Sequence, residues 1–370
     1  MEIEKGSKWI KFDTMERFMA DVLKGVGVPS KDAAVCADVL IAADKLGIDS
    51  HGISRLKTIY YDRIKQGIQF PKTKFEILRQ TPTTAVIDGH NGMGHVIAKR
   101  AMEIAIRKAK KYGLGMTAVR NSTHYGIAGY YALMASEAGM IGITGTNARP
   151  SVAPTFGTEN MLGTNALTFG MPTDEKFPFL LDCATSTTQR GKIEVYAKLG
   201  KEMPKGWVIN HKGEDRTDSL SVLKELVAGT AALVPLGGVG EELSGYKGYG
   251  YSTVVEILSA ALQQGAYMKM LLGVKDGKKV PYPLGHFFLA INIEAFTPLR
   301  SFKKIAGNIL RELRASKKMP GARRIYTAGE KEHLNWLYRK TKGVPLNKET
   351  QCEIIAMRDE LKLNKYKFNF

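Results

Sequence analysis

Cysteine is scarce in this sequence. Cys36, Cys183 and Cys352 are odd in number and far apart along 370 residues. That excludes a disulfide framework and a paired-cysteine zinc site, so no metal is expected and a reducing cytoplasm is the default. No apolar run approaches the roughly 20 residues that span a bilayer, so no membrane partner is expected. The opening MEIEKGSKW has neither the apolar region nor the small-residue cleavage site of a signal peptide. The glycine fingerprints G-x-G-x-x-G and G-x-x-x-x-G-K-[ST] are both missing, which removes the common nucleotide loops. There is no internal repeat and no low-complexity linker. Acidic side chains are also in deficit, 36 against 54 basic, for a net charge of +18. Such an excess fits a basic protein that binds a polyanion, an anionic substrate, or a lysine-rich composition alone. The basic runs at 107–111, 275–279 and 311–324 have no interleaved aromatics, and the first and third read as solvated helix faces, so nucleic acid is not expected.

What is abundant is glycine in residues 120–173. Glycines recur there at 126, 129, 139, 142, 145, 157, 163 and 170, at no fixed period, among Thr, Asn and His. Glycine costs backbone entropy in regular structure, so this density predicts close backbone approach, either to other chain or to a ligand. His124 lies in this stretch, just after the apolar residues 116–119. Both a small-molecule site on a scaffold and a run of tight turns fit it.

Periodicity predicts helices over 14–23, from 30 to about 47, and over 49–67, 95–112, 124–138, 192–199 and 218–227. A long helix then runs from the 233–250 glycine loop to about 264, with three more over 299–315, 329–342 and 347–361. Strands are predicted at 84–87, 116–119, 141–144, 165–171, 179–182 and 286–292. Residues 198–217 read as a polar surface connection. The fold class is α/β, a central body with helices contributed by both termini. A helical segment 1–75 is expected to pack with C-terminal helices in 299–370, around an α/β body at 76–298.

Three segments carry candidate chemistry. In DSHGISRLKTIYYDRIKQG, His51 and Arg55 are four apart and are expected on one face of the same helix, off its apolar stripe. Two neighbouring cations repel, which favours neutral imidazole, and a guanidinium can grip a carboxylate with two hydrogen bonds. An ordinary surface helix start fits the same pattern. In FLLDCATSTTQRG a strand delivers Asp182 and the hydroxyls of Thr185, Ser186, Thr187 and Thr188 to a helix start, a ready anion site or a cap with spare threonines. Lys247, beside Tyr246 in GYKGYG, could meet phosphate or serve as surface charge. His90 and His95 read as structural or exposed.

Taken in order, SHGISRL, NSTHYGIAGYYA, LGTNALTFGMP, LDCATSTTQRGKI, GYKGYG and GHFFLAIN resemble the malate/L-lactate dehydrogenase family of the second type. That family includes sulfolactate, ureidoglycolate and diketogulonate oxidoreductases and a cyclic imino-acid reductase. The resemblance runs from about residue 13 to 345. It implies a non-Rossmann NAD(P)-binding fold with a mixed central sheet and helices on its faces, residues 76–298 being the cofactor-binding body, and a homodimer with sites near the subunit interface. It also implies NAD- or NADP-dependent oxidation of a small 2-hydroxy acid, with malate and oxaloacetate the favoured pair. By motif, His51 matches the acid/base and Arg55 the substrate-carboxylate ligand. His124 matches a second active-site histidine to which some members give the proton transfer. Asn147 and Thr164 match pocket positions, and Arg149 lies where members vary. Asp182, Thr185, Ser186, Thr187 and Thr188 match a cofactor-contacting strand end, with Tyr246 and Lys247 a second contact. Gly329, Glu330 and Lys331 resemble a third, although the family more often has proline before that glycine. A histidine titrating near neutrality would serve as base in oxidation and acid in reduction.

Overall fold

The computed structural model describes residues 6–370. Its centre is a seven-stranded sheet in the spatial order Glu76–Gln80, Thr84–Asp88, Leu114–Ser122, Leu284–Asn292, Met140–Thr146, Leu167–Met171 and Phe179–Cys183. Only Thr84–Asp88 and Leu114–Ser122 run parallel; every other neighbouring pair is antiparallel. The parallel pair is joined by the helix Gly94–Tyr112, the long crossover that such a pair requires. The sheet is therefore mixed, and not the doubly wound parallel sheet of a dinucleotide fold. Its central strand comes from far down the chain: Leu284–Asn292 inserts between two strands that are near each other in sequence. Buried on both faces, this strand reads as the near-continuous apolar run HFFLAI. Edge strand Glu76–Gln80, by contrast, is mostly exposed and carries Glu, Arg and Gln, which discourages further pairing.

Helices Gly94–Tyr112 and Gly129–Glu137 cover one face. Their small residues Ala98, Ala101, Ala105 and Ala135 pack with Ile87, Val119, Tyr131 and Phe288 in one core. The glycine density of 120–173 is in part a consequence of this packing. A Cβ at Gly142 would lie 2.6 Å from the Ala132 carbonyl oxygen, and one at Gly170 would lie 2.7 Å from it. The helix thus rests directly on the backbone of two adjacent strands.

A second core joins the N-terminal helices Phe12–Gly25 and Ser30–Lys45 to the segment 53–64 and to Val344, Leu346, Ile354, Met357 and Tyr366. Strand Lys8–Ile10 pairs with Val344–Leu346 and ties the two ends together. Of the 299–370 segment expected to pack here, helix Leu299–Ala315 lies elsewhere, with Leu299 against Gly139 and Arg311 bonded to Asp174. A third, smaller core corrects the expectation that 198–217 is only a surface connection. Met203 and Val208 are buried there with Val152, Leu162, Ile193, Val222 and Leu233, and Val208–Asn210 pairs with Ala231–Leu233. Polar composition hides this two-stranded sheet because its second strand lies beyond the intervening helix Ser219–Ala228. Asp218 accepts hydrogen bonds from Leu220 and Ser221 N–H at 3.0 and 3.3 Å, capping the helix Ser219–Ala228.

Substituting Gly142→Ala should force the Gly129–Glu137 helix off the sheet. A loss of about 1–3 kcal/mol is expected, the range for overpacking, read as a lower urea midpoint. An unchanged midpoint would mean that the helix is free to move.

Candidate active site

His51 sits on a turn, not in a helix. The expected single helix over 49–67 is instead a short 3₁₀ turn at Ile53–Arg55, a widened π turn at Leu56–Tyr61 and one α turn at Asp62–Lys65. His51 and Arg55 therefore do not share a face of one helix. The reason is the way the turn is anchored. Asp44, buried in the preceding helix, accepts the Ile53 N–H at 3.0 Å and starts the new segment there. A Cβ at Gly52 would fall 1.9 Å from the Asp44 carboxylate, so only glycine lets the chain pass. Arg339, 3% exposed, forks onto Asp49 at 2.5 and 2.8 Å and also donates to the Asp44 carbonyl at 2.8 Å. Arg55 folds back over this turn through its Nε, which donates to the Ser50 carbonyl at 2.6 Å. Its two terminal nitrogens make no hydrogen bond among the described residues; the nearest acid, Glu194, is 4.0 Å away.

His124 lies in the loop between strand Leu114–Ser122 and helix Gly129–Glu137, ahead of the helix in which it was expected. Its ring stacks near-parallel to that of His51, centroids 5.6 Å apart at 19°. Its Nδ1 receives the Gly126 N–H at 3.3 Å and the Tyr60 hydroxyl at 2.5 Å. A backbone amide can only donate, so Nδ1 carries no proton and neutral His124 is the Nε2–H tautomer. Tyr60 reaches His124 from the π turn, a feature frequent at functional sites. Sequence periodicity placed Tyr60 in the apolar stripe; its ring does fill the core, while its hydroxyl orients the histidine.

Both rings stay neutral far below their ordinary range. Burial, and then the Arg55 charge, lower the His51 pKa to about 4. Burial, then the neighbouring His51 and His95, push His124 well below 6.5. The expectation of a histidine titrating near neutrality does not hold for the free chain; it assumed a solvated ring. His95 is fully buried against the Tyr60 ring, with no hydrogen-bond partner on either nitrogen among the described residues.

The three expected cofactor segments converge on one strand and its exit. Asp182, at the end of Phe179–Cys183, accepts the Gly129 N–H at 2.6 Å and the Thr168 hydroxyl at 2.9 Å. Thr185 donates to the carbonyls of Thr164 and Asn165, Ser186 to that of Thr188, and Thr187 to that of Pro235. Only Thr188 keeps a buried hydroxyl without a partner. The Leu236 N–H bonds the Thr185 carbonyl at 2.8 Å, which draws in the loop leading to helix Gly245–Ala260, where Tyr246 and Lys247 are exposed. Gly329 lies against Pro178 and Leu180 of the same strand. Glu330 is spent on Arg324 and the Thr327 N–H, and Lys331 stands over the Tyr326 ring at 5.0 Å. Asn147 does not open toward a ligand. It is fully buried, its amide nitrogen bonded to the Ala266 carbonyl and Glu256 and its oxygen to the Gly285 N–H. Thr164 contributes its carbonyl to the strand exit, and its side chain is half-buried. Among the described residues no three His, Cys, Asp or Glu side chains gather as metal ligands.

Periodicity and motif reading did not single out Asp44, Arg339, Arg63 or Tyr282, because their roles depend on partners distant in sequence.

The buried rings predict a pH dependence of stability. The pKa values are about 4 for His51 and about 3 for His95 and His286, all below the ordinary 6.5. Between these values the unfolded chain binds more protons than the folded one. Stability is therefore complete above about pH 6.5 and falls toward pH 4, by at most about 1.4 kcal/mol per unit for each ring. Asp44 opposes this, its carboxyl being raised chiefly by burial. The urea midpoint should drop between pH 7 and 5 while the NMR shifts of the His51, His95 and His286 imidazoles in the folded protein stay constant. Shifts that titrate near pH 6.5 would contradict the burial argument.

The malate/L-lactate dehydrogenase family matches residues 10–354. Malate dehydrogenase of Pyrococcus abyssi is 47% identical over 342 residues, 92% of each chain. L-sulfolactate dehydrogenase of Methanocaldococcus jannaschii is 37% identical over 355 residues, 96% of this chain and 98% of that one. The crystal structure of malate dehydrogenase from Entamoeba histolytica superposes with a TM-score of 0.94 at 46% identity, covering 98% of this chain and 100% of that one. With the family matched over residues 10–354 and relatives up to 47% identical over 92% of the chain, this protein belongs to the malate/L-lactate dehydrogenase family and is a hydroxy-acid dehydrogenase.

Proposed function

We propose that the protein interconverts malate and oxaloacetate, with His51 as acid/base. The observation that carries this is the stacked His51–His124 pair beside the unpaired fork of Arg55. Arg55 holds the C1 carboxylate through its two terminal nitrogens, which fixes C2 in place. Oxidation removes the hydroxyl proton and the C2 hydrogen with its electron pair. The proton goes to His51. His124, locked as the Nε2–H tautomer, offers a donor and no acceptor on that side, so it hydrogen-bonds the substrate oxygen and leaves base chemistry to its neighbour. A dianionic substrate raises the proton affinity of His51 at the moment it is needed. In reduction the same proton returns to the oxygen.

Family membership implies a nicotinamide cofactor, which supplies the hydride acceptor or donor. The chain fits such a group. Thr188 has a buried hydroxyl without a partner, and the first turn of helix Arg190–Lys198 has N–H groups with no intrahelical acceptor. Asp182, Thr185, Ser186, Thr187, Thr188, Tyr246, Lys247, Gly329, Glu330 and Lys331 frame this region. Of these, Lys247 and the helix start are the groups placed to meet phosphate. Both NAD and NADP are candidates, separated by assaying each. The three cysteines are free, in keeping with a cytoplasmic setting.

The polyanion reading is weaker. Arg311 and Arg314, from its third basic cluster, are tied to Asp174 and Glu175. The groove bordered by Arg311, and lined also by Asp174, Leu299, Arg300, Lys303 and Lys304, shares no residue with the histidine site.

A homodimer is part of this proposal. Tyr251, Val254 and Ile257 make an exposed apolar stripe on helix Gly245–Ala260, and Ile305, Ile309 and Leu313 make another on Leu299–Ala315. Light scattering should give twice the chain mass; a monomer at micromolar concentration would remove the dimer from the reading.

NADH and NADPH oxidation should be measured against oxaloacetate, pyruvate, sulfopyruvate, diketogulonate and a cyclic imino acid, with oxaloacetate expected to turn over fastest. His51→Ala should lower kcat on the order of 10²–10⁴-fold and leave NADH binding intact. Full activity in that variant would transfer the role to His124.

A further inference from the structure

Arg63 stands near His124 and Arg149 stands near Arg63, and neither has an acid partner among the described residues. Arg63, on the α turn that follows the π segment, is half-buried with its guanidinium 4.8 Å from the centre of the Tyr282 ring. Arg149 stands at 5.9 Å from the same ring. It follows strand Met140–Thr146 by three residues, and its loop is tethered by the buried amide of Asn147. Arg63 belongs electrostatically to the site, because its charge is felt by His124 together with that of Arg55. Burial, and repulsion from Arg149 and Arg55, lower the Arg63 pKa to about 10, with only the Tyr60 hydroxyl acting the other way.

Partly buried cations are normally paired, since removing water from a lone charge is costly. Three guanidiniums converge here with one distant carboxylate, Glu194, at 4.0 Å from Arg55. Arg55 and Arg63 are partly buried and Arg149 is exposed, and no carboxylate among the described residues pairs with Arg63 or Arg149, so an anion from outside the chain is the partner the cluster lacks. A 2-hydroxy acid with one carboxylate satisfies Arg55 and leaves the other two unpaired. A second acid group at the far end of the substrate would satisfy them as well. Tyr282 holds both guanidiniums against its face by cation–π attraction, without competing for their N–H groups.

We infer that Arg63 and Arg149, gathered on the Tyr282 ring, form the receptor for a distal carboxylate or sulfonate, and so select dianionic 2-hydroxy acids over lactate. This rests on reading the site as that of a 2-hydroxy-acid dehydrogenase. Arg55 reads the end common to all such acids, and the Arg63–Arg149 pair reads the end that distinguishes them.

The test compares kcat/KM for oxaloacetate, sulfopyruvate and pyruvate in the wild type, Arg149→Gln and Arg149→Lys, with folding checked by circular dichroism. Arg149 is exposed and on a loop, so its replacement should spare the fold. In Arg149→Gln the ratio of dianion to pyruvate kcat/KM should fall about tenfold or more, the worth of a charge-assisted pair. Arg149→Lys, which restores a point charge, should recover part of it. The dianion that loses more identifies the distal group as carboxylate or sulfonate. An equal fall for all three substrates, or an unchanged ratio, would overturn the inference.

A second arm separates this from failure of the malate assignment. Calorimetry with NADH-loaded protein should show succinate binding more tightly than propionate, and Arg149→Gln should abolish that difference. That result supports the receptor even if oxaloacetate is not turned over. Equal affinity of wild type for the two acids would refute it.

Discussion

The turn that carries His51 hangs on one buried guanidinium. Arg339 comes from a helix near the C-terminus and reaches Asp49 and the Asp44 carbonyl, which flank the N-terminal side of the His51 turn. A charge only 3% exposed must be paired to be tolerated, so the contact fixes where the turn can lie. Asp44 then receives Ile53, Gly52 passes over its carboxylate with no room for a side chain, and His51 is presented with Arg55 folded beside it. Strand pairing of Lys8–Ile10 with Val344–Leu346 works to the same end by holding the two chain ends together.

The second half of the site is built by the sheet. Strand Leu114–Ser122 delivers His124 to its end, where the Gly126 amide and the Tyr60 hydroxyl select one tautomer. The head segment supplies Tyr60, so the ring orientation of a sheet-borne histidine is set by a helical residue 64 positions earlier. Two histidines of similar burial thereby receive different capacities: His124 is left with a donor, and His51 bonds only the Ser50 hydroxyl through Nδ1. Low pKa values in both follow from burial beside cations.

Regular elements were legible wherever a local pattern carried them. Helix Leu299–Ala315 has its expected bounds, and Gly94–Tyr112 begins within one residue of expectation, because a 3.6-residue apolar period needs no distant partner. The motif residues Asp182 and Lys247 were legible as chemistry at element ends, and the folded chain brings their segments to one strand exit. The 49–67 segment was misread because its apolar spacing fits an α-helix equally well. Asp44 and Gly52, which break it, act through contacts that sequence spacing does not encode. Asn147 was read as pocket-lining, yet its hydrogen bonds to Ala266, Glu256 and Gly285 absorb it into the core.

The amino-acid sequence by itself determined the α/β class, the lack of a Rossmann phosphate loop, and the residue types available for proton transfer and anion binding. These follow from composition, period and short motifs, which are local quantities. Tertiary structure alone decided that Leu284–Asn292 lies at the centre of the sheet, that His124 is an Nε2–H donor, and that Arg63 and Arg149 share one aromatic ring. Each of these depends on groups far apart in the chain, whose meeting is set by how the cores pack.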